Sequence, residues 1–98
     1  MSTDSIRVFK YVKEHEEENI IASDIAEALF PGVEATRKVN GIITAAFQRY
    51  KNKDKEIIPL MKRVEGEIEI DGKHKQVKFI KLTEQGRAFD IDNIDVSD

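Results

Sequence analysis

Residues 64–82 read VEGEIEIDGKHKQVKFIKL. Val64, Gly66, Ile68 and Ile70 alternate with Glu65, Glu67 and Glu69. Successive side chains of a strand point to opposite faces, so this period of two predicts a half-buried antiparallel strand with the apolar row on the core and the glutamates in solvent. Asp71-Gly72 is a strong signal for a two-residue hairpin turn. Residues 77–82 then form the return strand. A lone hairpin is marginal in water and needs a helical layer to cover its apolar face.

That layer lies upstream, where the period is 3.6. Across 34–50, Val39, Ile43, Ala46, Phe47 and Tyr50 recur at helical spacing and predict one long third helix. Before it, Ser23 is placed as the N-cap of a short second helix, with Asp24 and Glu27 in its first turn and Ile25, Ala28 and Leu29 on its apolar face. Phe30-Pro31-Gly32 stops that helix. The first helix is capped by Ser2, Thr3 or Asp4 and carries Ile6, Val8, Phe9, Tyr11 and Val12 on one arc. The acidic run 14–19 ends it as a solvated last turn, and Ile20-Ile21-Ala22 has room for no more than a minimal strand. Downstream, Thr83 caps a last helical turn. The expected architecture is α+β, a winged helix-turn-helix: three helices, a two-stranded hairpin wing and a short C-terminal helical turn. Residues 1–89 form the domain, and 90–98 form an acidic, mobile tail in which Ile91, Ile94 and Val96 leave docking open.

At 98 residues the chain has room for one modest core. It has no cysteine, which excludes a disulfide framework and suits a reducing compartment. No apolar run approaches the length of about 18 residues that a membrane span needs, and the N-terminus lacks the basic and apolar regions of a signal peptide. The expectation is a cytoplasmic protein with no membrane partner. Net charge is −3, but it is unevenly spread. Residues 1–33 carry −4, residues 34–63 carry +5, residues 64–89 balance, and 90–98 hold four Asp and no base. One basic segment thus lies between acidic flanks.

The basic segment contains the third helix. At about 100° per residue its apolar stripe is opposed by Arg37, Gly41, Thr44 and Gln48, with Lys38, Asn40 and Lys51 beside them. A guanidinium, two amides, a hydroxyl and lysines are the groups that read base edges and hold phosphates in a major groove. No acid lies between Arg37 and Tyr50. A helix-interior Gly costs about 1 kcal/mol against Ala, so Gly41 reads either as close backbone approach to DNA or as a surface or closely packed position at the rim of helix two. Lys73, His74 and Lys75 form the wing tip, placed for flanking phosphates. The Glu65, Glu67 and Glu69 row confines such contact to the tip.

No enzyme chemistry is legible. His15 and His74 lie on separate elements, no spacing supports a metal site, and there is neither a glycine-rich phosphate loop nor a nucleophile–base pair. No cofactor is expected.

Three stretches carry a family resemblance: Ser23-Asp24-Ile25-Ala26-Glu27-Ala28-Leu29, Val39-Asn40-Gly41-Ile42-Ile43-Thr44, and Leu82-Thr83-Glu84-Gln85-Gly86. Over roughly residues 5–89 the chain resembles MarR-type and related bacterial winged-helix regulators, as an isolated DNA-binding unit. The resemblance implies a positioning helix, a recognition helix with Arg37, Lys38, Asn40 and Thr44 toward DNA, and a closing element after the wing. The link from Leu29 to Val39 is longer than the family's tight turn, and the long terminal dimerisation helices are lacking. The expected function is sequence-specific duplex DNA binding in transcription regulation, alone or as a homodimer on a palindrome through Phe89, Ile91 or Ile94. A winged-helix module docking a protein partner is the alternative.

Overall fold

Ser2 begins the fold, accepting a hydrogen bond from Ser5 N–H at 3.1 Å and so capping helix α1, Thr3–Glu14. The computed structural model describes residues 1–93; Ile94 and Val96 lie outside the described residues. Ser5, Val8, Phe9 and Val12 recur along α1 at the spacing of one helical face, and all four are buried. Within the acidic run that follows, two carboxylates are engaged: Glu18 holds the His15 ring and Glu16 pairs with Arg87.

Helix α2, Ala22–Leu29, starts two residues earlier than its sequence suggests. Its N-cap is Ile21, whose side chain cannot accept a hydrogen bond; Asp24 closes the end by accepting Ile21 N–H at 3.0 Å. Ser23 is exposed inside the first turn and caps nothing. The buried face is Ala22, Ile25 and Ala26, while Ala28 is exposed. Nor do residues 20–22 form a strand. Their pairing reduces to one bond, from Ile80 N–H to the Ile20 carbonyl at 2.8 Å, because α2 claims the chain from Ala22 onward.

The long third helix is two segments, helix α3, Ala35–Ile42, and a π-helical stretch, Ile43–Gln48. The buried residues Ala35, Val39, Ile43 and Phe47 are spaced by four. In an α-helix four residues overshoot a full turn by about 40°. In a π-helix, with roughly 4.4 residues per turn, they fall short by a similar angle. The widened turns therefore return Phe47 to the core side, where its ring lies 5.5 Å from that of Phe9.

Residues 51–57 loop around Asn52, whose side-chain oxygen accepts from Asp54 and Glu56 N–H at 2.9 and 3.0 Å. Strands β1, Met61–Ile70, and β2, Lys73–Leu82, then pair antiparallel with Ile70 opposite Lys73. Asp71 and Gly72 have φ of 51° and 77°, the two positive angles of the expected turn. Thr83 caps helix α4, Glu84–Ala88, through a bond from Gly86 N–H at 3.0 Å. The element order, three helices, an antiparallel hairpin and a short helix, is that of an α+β fold.

The hairpin's orientation reverses the sequence expectation. Met61, Ile80 and Leu82 enter the core, and a period of two from Met61 puts Arg63, Glu65, Glu67 and Glu69 on that same side. The Val64, Gly66, Ile68, Ile70 row faces away from the body, with Val64 and Ile70 left 41% and 50% exposed. Phe79, opposite Val64, lays its ring over Gly66 on this outer face. The glutamates stay solvated because the hairpin extends past the body, giving the molecule a length of 48 Å against 28 and 20 Å across.

The core does not stop at Phe89. Ile91 is buried at the start of a short 3-10 turn, Ile91–Asn93, and Asp92 pairs with Lys10 of α1 at 3.3 Å. Phe89 meets the rings of Phe9 and Tyr50. Ile91 is thus committed to the core, and Phe89 is half-buried in its ring contacts. Among the described residues no helix is long and apolar enough to cross a membrane, and no cluster of three His, Asp or Glu could hold a metal ion.

Candidate nucleic-acid interface

Three polar residues of the third-helix region converge on one side chain that the sequence reading passed over. Arg63 of β1 donates from Nη1 to Gln48 Oε1 at 2.5 Å. Its Nη2 donates to the Asn40 carbonyl at 3.2 Å, Asn40 Oδ1 at 3.1 Å and Thr44 Oγ1 at 3.3 Å. Asn40, Thr44 and Gln48 therefore flank the hairpin instead of facing outward together, and each is half-buried. The signal for Arg63 was present in the sequence: it is the one cation within the β1 row of Glu65, Glu67 and Glu69.

The remaining helix residues divide. Arg37 points into solvent, its side chain 89% exposed and 3.9 Å from Glu34. Lys38 turns to the other flank, 2.7 Å from Asp4 and 4.6 Å above the Phe30 ring. Gly41 is exposed, and a Cβ built there meets nothing within 4 Å, which removes close packing against α2 as its reason. Arg37, Gly41, Ala45 and Arg49 make the exposed outward row. Arg49 stands where a regular α-helix would have put Gln48, because the π segment rotates Gln48 inward toward Arg63.

The basic residues outside the helix do not form one patch. Lys51 is exposed at the start of the Asn52 loop. At the hairpin tip, Lys73 and Lys75 lie on the outer face opposite Ile70 and Ile68, whereas His74 lies on the body side and meets Glu67 at 3.0 Å. Alternation along a strand separates neighbours in sequence.

Between the outer edge of β2 and the helices runs an open groove of about 610 Å³. Its walls include Ser23 at the start of α2, Thr36 and Asn40 of α3, and Arg63, Lys75 and Lys78 of the hairpin, with Glu65 the one acid. Ile80 turns its N–H outward to Ile20, and alternate residues of a strand share that direction, so Lys78 and Gln76 aim their backbone groups at the groove. Among the described residues no carboxylate pairs with Arg63, whose partners are all neutral oxygens. A half-buried guanidinium without a counter-ion, beside two lysines and several hydroxyl and amide donors, is suited to an anion. Compared with protein families, curated proteins and solved structures, the chain shows no match.

Proposed function

We propose that the chain is a winged-helix protein that binds duplex DNA sequence-specifically, as a transcription regulator, with α3 in the major groove and the hairpin as the wing. The observation that carries this reading is the groove beside α3, where Arg63 lacks an acidic partner and whose walls also include Lys75, Lys78, Ser23 and Thr36. A phosphate backbone lying there would supply the missing anion. The outward row Arg37, Gly41, Ala45 and Arg49 offers two guanidiniums flanking two small residues, so that the helix can approach base edges. Lys73, Lys75 and Lys51 are exposed and available to flanking phosphates. Fluorescence anisotropy of labelled duplex tests the proposal. Binding should weaken steeply between about 50 and 200 mM salt, with a slope of about −0.9 per phosphate contacted. Absence of binding at low salt and tens of micromolar protein overturns it.

A second reading, docking of a protein partner, is favoured by one observation. The outer hairpin face carries Val64 and Ile70 exposed, Ile68, Val77 and Phe79 half-buried, and Lys62, Lys73, Lys75 and Lys81 with no acid. Its four lysines oppose self-stacking, so this face suits an acidic partner better than a second copy. Under this reading Val64→Asp with Ile70→Asp abolishes partner binding and Arg37→Glu leaves it intact. Under the DNA reading the effects of those variants on duplex affinity are reversed.

A further inference from the structure

We infer that Arg63 determines base preference at α3 by fixing which end of the Asn40 amide is left free; this rests on the DNA-binding reading. A guanidinium has only donors, so any amide that it holds must turn its oxygen inward. Arg63 Nη2 holds both the Asn40 carbonyl at 3.2 Å and Asn40 Oδ1 at 3.1 Å, and the two bonds define one side-chain orientation. The Asn40 amino group then has no partner among the described residues, and Asn40 is one of the residues that line the groove. Gln48 is held in the same sense through Oε1, half-buried behind it.

An asparagine reads adenine by accepting from N6–H and donating to N7 at once, which requires both ends of the amide to be presented. With its oxygen committed to Arg63, Asn40 presents only a donor. Arg37, three residues earlier on the helix and 89% exposed, also presents only donors. The face therefore complements acceptors, and guanine offers two in the major groove, O6 and N7. Arg63, which contacts no base itself, is a positioning residue that biases Asn40 toward guanine and against adenine.

The test begins with selection of bound sequences from a random duplex pool by the wild-type protein. The selected duplex and its guanine-to-adenine variant at each selected position are then titrated. Wild type should favour guanine by about tenfold or more at one of these positions, within the discrimination of a good base contact. Arg63→Met should collapse that ratio toward one by freeing the amide to turn. Because Arg63→Met also loosens the hairpin, Asn40→Asp is the second variant. It keeps an acceptor for Arg63 and replaces the amino group by a carboxylate oxygen, so it should lose the guanine preference while the charge-assisted bond to Arg63 keeps the thermal midpoint at or above that of wild type. Duplex binding in which wild type prefers adenine there, or in which both variants keep the guanine preference, overturns the inference while the DNA reading stands. No duplex binding by wild type overturns both.

Discussion

Gly86 sets its Cα against the Leu60 carbonyl, in space where the Cβ of any other residue would collide with backbone. Around this contact, Thr83 N–H donates to the same Leu60 carbonyl at 3.1 Å, and the Thr83 hydroxyl donates to the Pro59 carbonyl at 2.6 Å. The Leu82-Thr83-Glu84-Gln85-Gly86 element thus clamps the chain leaving the hairpin onto the chain entering it. Gly86→Ala must push two backbone segments apart and should cost about 1–3 kcal/mol, the range for overpacking a filled site. Chemical denaturation reads this directly, and a loss below about 0.5 kcal/mol would mean that the clamp yields.

The element order was legible because three periodic stretches and one turn dipeptide agreed on it. The Asp71-Gly72 turn was readable to the residue, since its backbone requires two positive φ angles and few pairs supply them. The facing of the hairpin was not. Val64 to Ile70 in steps of two looks like a core row, but the core is entered at Met61, and parity from that point sends the apolar row outward. The spacing of four from Ala35 to Phe47 was visible in the sequence, and only a widened helix keeps it on one side; a uniform 100° wheel instead aimed Gln48 outward and hid Arg49. The role of Arg63 was not legible because its partners Gln48 and Asn40 lie 15 and 23 residues upstream, and only the fold brings them together.

The start of α2 separates two capping assignments. Asp24→Ala removes the acceptor for Ile21 N–H and should destabilise by about 1 kcal/mol, the usual loss for a helix cap. Ser23→Ala touches no capping bond and should stay within about 0.5 kcal/mol of wild type. Equal losses for the two variants would restore Ser23 as the cap.

Tyr11 gives the fold an alkaline weakness. Burial first, then the charges of Asp24, Glu18 and Glu27, raises its pKa above the ordinary value of 10.0. The folded state therefore holds the phenolic proton more tightly than the unfolded chain does. That contribution is fully present below pH 10.0 and is lost as pH rises through the higher folded value. Thermal midpoints should fall across this window, and Tyr11→Phe should flatten the decline by removing the proton that the unfolded chain releases first. An identical decline in the variant would assign the weakness to other groups.

Gly41 tests the outward row against a bland surface. A Cβ there meets open space and the position is helical, so Gly41→Ala should stabilise the free protein by about 0.5–1 kcal/mol. If α3 lies in a major groove with Gly41 between Arg37 and Ala45 at the contact, the same methyl holds the backbone away from base edges. Duplex affinity should then fall about tenfold although the fold has become firmer. The two measurements move in opposite directions, which separates loss of contact from loss of structure. A variant that is both more stable and equally tight on DNA would place the recognition contact elsewhere on the helix, toward Thr36 and the groove.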